Sequence, residues 1–190
     1  MEIRVNLVLM AFLALVWLGL TAQMPRAIDE HHEFAGLGAL EDESARHPDD
    51  AQVLVALSER YLAQGFPLLA ITAIRAADAV VLEEPAVAHQ LARAYEHNGR
   101  LLDALATADL ALTRCARVLG AQHFQSKVPS FVCNERTLAT LDTHKGALER
   151  MVQWGVVDPR HDARAQRAYD LALRTARIAV GEVPVNGANN

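Results

Sequence analysis

Cys115 and Cys133 are the only two cysteines of the chain, and their thiols are the side chains best suited to covalent chemistry. A disulfide closing the stretch between them is expected if the domain lies outside the cytoplasm. In the chain-entropy model a loop of this size contributes about 3 kcal/mol. Buried free thiols and a metal or thiol-redox site are the alternatives. Zinc would have to recruit His123 and His144, whose spacings from the cysteines do not follow the short paired ligands of structural sites. Thioredoxin-like exchange needs a Cys-x-x-Cys pair, which is missing. No glycine-rich phosphate loop, nucleophile elbow or His-Glu-x-x-His pattern occurs. Arg160, His161 and Asp162 cluster where a helix begins and read as capping and solvation. His31 and His32 would point about 100° apart on a helix and read as an exposed polar pair. The residues form no catalytic constellation. The expectation is a protein that is not an enzyme and needs no cofactor or metal.

The elements that carry these residues follow from composition. The chain of 190 residues is 52% hydrophobic but only 5% aromatic, with alanine and leucine prominent. That balance favours closely packed helices over a sandwich or barrel, which would need more β-branched and aromatic residues. Seven prolines and ten glycines leave little room for long flexible linkers. The net charge is −5 and no run of Lys or Arg exists. A nucleic-acid binder needs a basic stripe to displace counterions from phosphates, so that class is set aside.

Residues 51–118 repeat themselves at a spacing of 34. Leu57 recurs as Leu91, Tyr61 as Tyr95, Gly65 as Gly99, Leu68 as Leu102, Ala70 as Ala104 and Ala77 as Ala111. Such a period is the length of one helix–turn–helix unit in a stacked array. Small residues at Ser58 and Ala92, Ala70 and Ala104, and Ala77 and Ala111 allow close helix approach. A bulkier side chain there would cost about 1–3 kcal/mol in overpacking. Leu57 and Tyr61 share a helix face, as do Leu91 and Tyr95. Gly65 and Gly99 fall where the first helix of each unit must end, and Pro67 suits the first turn of the next.

On these residues the segment resembles the tetratricopeptide repeat, with units at 51–84 and 85–118. Two positions depart from that pattern: Leu82 stands where a proline is common, and Leu54 and Ala88 replace an aromatic. The resemblance implies a short all-α solenoid of antiparallel helix pairs whose inner groove binds a peptide or helix of a protein partner. It implies groove positions at Gln52, Val55, Glu59, Leu62 and Ala63 in the first unit. In the second unit it implies Ala86, His89, Arg93, Glu96 and His97. Some members hold a terminal carboxylate with Lys and Asn one turn apart. Val55 and Glu59 occupy that spacing here, so this mode is not expected.

The flanks extend the stack. Phe34, Leu37, Leu40 and Ser44 fall at helical spacing, and Pro48 closes a segment at 33–47 that reads as a half-repeat cap. Residues 119–132, with Gly120 and Pro129, read as an irregular connection. Leu138, Leu141, Ala147, Leu148, Met151 and Trp154 restore periodicity, with a stop at Gly155. Asp158 and Pro159 look like the start of another helix. Ala172, Ala176 and Ala179 repeat the small-residue spacing, so 135–180 reads as a degenerate helix pair. A tail at 181–190 is expected to be disordered.

At the amino terminus, residues 7–20 are an unbroken apolar run preceded by Arg4 and Glu2. Residues 1–22 fit either an uncleaved signal-anchor, which needs about 17–25 residues, or a signal peptide cut after Ala22. Trp17 suits a membrane interface. Residues 23–32 read as a polar linker, and the domain spans 33–180. The whole suggests a protein-interaction scaffold of an envelope assembly, membrane-anchored with an extracytoplasmic domain or exported. An enzyme or metal protein using Cys115 and Cys133, or a self-associating structural protein, is the alternative.

Overall fold

The computed structural model describes residues 30–122 and 133–179, and among these the chain is all-helical. The helices are α1 (Glu30–Arg46), α2 (Ala51–Ala63), α3 (Pro67–Arg75), α4 (Ala79–Leu82), α5 (Pro85–His97), α6 (Leu101–Gln122), α7 (Glu135–Gln153) and α8 (Ala163–Ala179). The apolar segment 1–22, linker residues 23–29, residues 123–132 and the tail lie outside the described residues. Among the described residues no helix is long and apolar enough to cross a membrane. The chain divides into Met1–Ala39 and Leu40–Asn190. Of the first unit the described part is the opening of α1, residues 30–39; the rest of α1 and helices α2 to α8 belong to the second. The linker expected at 23–32 gives way to helix at Glu30, because nothing between Glu30 and Phe34 breaks one.

Successive helices pack as pairs, α2 on α3, α5 on α6 and α7 on α8, while α5 also meets α2 and α3, and α6 meets α7. Ser58, Ala70, Ala92, Ala104 and Ala111 are fully enclosed at the pair contacts. The Ser58 hydroxyl donates to the Val55 carbonyl at 2.9 Å, so this buried polar group is satisfied inside its own helix. Tyr61 donates to Glu41 at 2.6 Å and ties the end of α1 to α2. Burial and that carboxylate push the Tyr61 hydroxyl up to about 12. The α7–α8 pair closes over Gly146, where an added Cβ would lie 3.8 Å from Ala172.

Three first helices end alike. Gly65, Gly99 and Gly155 have φ of 78°, 74° and 65°. The next residue in each case donates back, Phe66 to Tyr61 at 2.8 Å, Arg100 to Tyr95 at 2.9 Å and Val156 to Met151 at 3.0 Å. This is the Schellman closure, which satisfies orphan carbonyls and needs a left-handed residue.

Three boundaries and one added short helix differ from the sequence expectations. Helix α3 stops at Arg75, so Ala77 sits in a turn rather than on a helix. Asp78 is extended (ψ 146°), and the short α4 then turns Val81 into a cluster with Leu54, Val55, Ile74 and Val87. Arg114 of α6 fastens this detour by donating to the Leu82 carbonyl and pairing with Glu83 at 2.8 Å. Helix α6 runs through Gly120 to Gln122, so residues 119–122 are not a connection; one helical glycine costs only about 1 kcal/mol, less than the packing it would forfeit. Helix α8 starts at Ala163 rather than Pro159. Asp162 caps it through Arg164 N at 2.8 Å, while Asp158 makes a separate turn onto Arg160 and His161. Those two partners hold the Asp158 carboxyl well below the usual carboxylate range. The enclosed small residues of α8 are Ala165, Ala168 and Ala172, whereas Ala176 is only half-buried.

Candidate functional site

His89, Arg93, Glu96 and His97 follow one another at helical spacing on α5, so they form a single stripe. Helices α7 and α8 pass in front of that stripe and supply His144 and Tyr169. Glu96 is buried at the centre. Its carboxylate accepts the Tyr169 hydroxyl at 2.8 and 2.9 Å and lies 3.1 Å from His144 Nε2. The other imidazole nitrogen, His144 Nδ1, is 3.1 Å from His89 Nε2. The two imidazoles meet edge to face, and the Tyr169 ring lies parallel to His144. A chain of hydrogen bonds, buried at its centre and half-buried at its ends, therefore runs Tyr169–Glu96–His144–His89.

Its electrostatics follow from burial and contact. Burial alone would raise the Glu96 carboxyl, but hydrogen bonds from His144 and Tyr169 outweigh it and hold the group below the ordinary range. Glu96 is thus an acceptor only, and His144 must carry its proton on Nε2. Burial, then the neighbouring His144 and Arg93, lower His89 to about 4. Burial and Glu96 push the Tyr169 hydroxyl far up. Burial also lowers His97.

The chain of bonds ends at a groove of about 910 Å³ between α5, α7 and α8. His89 and Arg93 form one side, Arg136, Thr140 and His144 another, and Leu173 offers an apolar wall. Arg93 donates to Gln90 Oε1 at 3.1 Å, and Gln90 in turn donates to Glu59 at 2.8 Å. Glu59 is 3.7 Å from Arg93. A second hollow of about 380 Å³ lies on the far side of Tyr169, beside Glu96 and Arg160.

Of the groove residues expected from the sequence, His89 and Arg93 line this groove, and Glu59 reaches its edge through Gln90. Val55 and Leu62 do not offer themselves to a partner: both are buried, and Val55 belongs to the apolar cluster around Ile74. Gln52 lies apart, at a hollow with Asp50 and Glu84. Glu96 is inside the hydrogen-bonded chain, and His97 is half-buried. The packing residues Leu57, Tyr61, Ala70, Tyr95, Ala104 and Ala111 are buried, with Leu91 and Ala77 partly so. Tyr95 also receives the Arg100 guanidinium on its face at 4.5 Å.

Cys115 and Cys133 are bonded to each other, with Cα atoms 5.3 Å apart, inside a cluster with Ala88, Ala111 and Leu141. Among the described residues no group of three or more His, Cys, Asp or Glu converges as metal ligands; His123 lies outside them. Sequence reasoning gave His144 only a zinc role and missed Tyr169, Gln90, Arg136 and Leu173. One signal was present. His144 interrupts the stripe of Leu141, Leu148 and Met151, and a polar residue on a core-facing stripe calls for a buried partner. Comparison with known proteins found no matching family model, no matching curated protein and no matching solved structure.

Proposed function

We propose that this protein is a tetratricopeptide-type interaction module whose α5–α7–α8 groove receives a segment of a protein partner. The observation that carries the reading is the groove itself, with an apolar wall at Leu173 and charged groups at Arg93 and Arg136. Apolar anchors supply affinity in such sites, and charges fix orientation. The repeat register of residues 51–118 and the pairwise packing of α2–α3 and α5–α6 support the solenoid assignment. The last turns of α1, tied to α2 through Glu41 and Tyr61, would cap its first end. The apolar run at 7–20 supports an anchored or exported protein that works in an envelope assembly.

Site-specific photocrosslinking of the full-length chain in its native cells tests this. A crosslinker at Thr140, inside the groove, is expected to trap a defined partner. One at Leu68, exposed on α3, is expected not to. Identical adducts at both sites, or none from Thr140, would remove the groove from the interaction. Adducts consisting only of a second copy of this chain would favour the self-associating alternative.

A further inference from the structure

The groove differs in charge from the molecule as a whole. On a chain of net charge −5, its described lining includes Arg93, Arg136, His89 and His144 and no carboxylate, with Glu59 at its edge 3.7 Å from Arg93. Arg136 is exposed and makes no ion pair with another described residue. Arg93 commits one N–H to Gln90 and lies 3.7 Å from Glu59, and the rest of its five donors make no other described hydrogen bond. Resting on the reading of this groove as a partner site, we propose that it holds a carboxylate of the partner between Arg93 and His89, and that binding draws one proton onto the His89–His144 pair.

The hydrogen-bond geometry supplies the coupling. Glu96 accepts from Tyr169 and His144 Nε2, so only one proton occupies the 3.1 Å gap between His144 Nδ1 and His89 Nε2. When that proton belongs to His89, its other nitrogen, Nδ1, is a bare acceptor. A carboxylate cannot donate, so it meets nothing there. Adding one proton from solvent lets His144 Nδ1 donate to His89 Nε2 and places the His89 proton on Nδ1. His89 Nδ1 is then a donor, and the added proton is shared on the His144 side, against Glu96. His89 itself stays uncharged above about 4 because burial, His144 and Arg93 oppose its charging. Charged and titratable groups surround the pair from each packed element. Helix α5 contributes Glu96, Arg93 and His97, α8 contributes Tyr169, and the turn before α8 brings Arg160. Helix α2 brings Glu59 to Gln90 of α5, while Asp109 of α6 is taken up by Lys145 of α7 at 2.7 Å.

Three blocked dipeptides test it on the full-length chain in detergent, with histidine labelled in ¹⁵N. Acetyl-Glu-Leu-amide carries its carboxylate on a side chain, acetyl-Gln-Leu on the chain end, and acetyl-Gln-Leu-amide has none. At least one charged peptide is expected to bind about tenfold or more tighter than the neutral one, and which one identifies the source of the carboxylate. Its Kd is expected to weaken by up to about tenfold per pH unit on the alkaline side of a titration from pH 5 to 8. The His144 Nδ1 resonance is expected to move to the protonated position on binding. Arg93→Gln, with its helicity checked by circular dichroism, is expected to abolish the charge preference. Equal binding of all three peptides, or of none, overturns the carboxylate site. A charge preference with a flat pH profile and an unmoved His144 resonance overturns the proton coupling. Neither result touches the partner-binding reading, which stands or falls on the Thr140 crosslink.

Discussion

Helices α2 and α3 pack through Ser58 and Ala70, and α5 and α6 through Ala92 and Ala104; both first helices end on a left-handed glycine. Thirty-four residues apart, however, Val55 corresponds to His89 and Leu62 to Glu96. In the first pair these positions are apolar and sealed. In the second they are two members of a polar chain completed by His144 and Tyr169. Glu59 and Arg93, again equivalent positions, carry opposite charges and face each other at 3.7 Å. One scaffold thus serves as packing in its first copy and as a polar wall in its second. The difference arises because α7 and α8 cover the second copy with groups that can answer a carboxylate.

The contrast breaks most severely at His144. His144→Leu leaves the buried Glu96 carboxylate with Tyr169 alone, and removing a hydrogen-bond donor from a buried charged group costs about 3 kcal/mol or more. Urea denaturation would measure it. Replacing the whole chain of bonds by His89→Val, Glu96→Leu, His144→Leu and Tyr169→Phe gives the second copy the first copy's chemistry, and most of the loss is expected to return. A cost below about 1 kcal/mol for His144→Leu would mean that the polar wall contributes nothing distinctive.

The second copy also differs in being clipped beyond its end. The Cys115–Cys133 bond closes a loop with a sequence separation of 18, so reduction is expected to remove about 3 kcal/mol. Denaturation with and without dithiothreitol checks this. The first copy instead secures its end by non-covalent contacts of Val81 and Arg114, which reductant leaves untouched.

Acid should act on the second copy selectively. The unfolded chain protonates His89 near 6.5, while the native chain resists to about 4. Stability therefore falls as pH drops through that window, by up to about 3 kcal/mol from this group. His89→Val is expected to lose this part of the slope, and the difference between the two proteins should level off below about pH 4. Parallel slopes for both proteins between pH 6.5 and 4 would show that His89 is not held neutral by its surroundings.

How far the sequence carries can be judged on these same residues. The repeat identities located the pairs and their glycine ends, because helix periodicity and left-handed turns leave local traces. Leu68 and Leu102 show the limit: they recur in register yet are 62% and 70% exposed, so identity alone does not imply packing. The break at Asp78 and the extension through Gly120 depend on whether Val81 and Leu119 find a core built by distant residues such as Leu54 and Leu141. The candidate site was the least legible part. Glu96, His144 and Tyr169 are 48 and 25 residues apart along the chain, and only the fold of α7 and α8 onto α5 brings them together.

The two glycines that end α2 and α5 give the smallest and most discriminating test. Both have positive φ, where a Cβ costs about 1 kcal/mol or slightly more. At Gly65 an added Cβ meets nothing within 4 Å, whereas at Gly99 it would sit 3.1 Å from the Val157 carbonyl oxygen. That carbonyl belongs to the turn leading into α8, so the second copy's end is clasped where the first copy's end is open. Gly65→Ala is expected to cost about 1 kcal/mol and Gly99→Ala about 2, the excess being backbone forced to shift. Denaturant midpoints of the two variants measure the difference. Equal costs would mean that residues 156–157 yield freely, and the second copy would then be covered by α7 and α8 without being gripped by the turn between them.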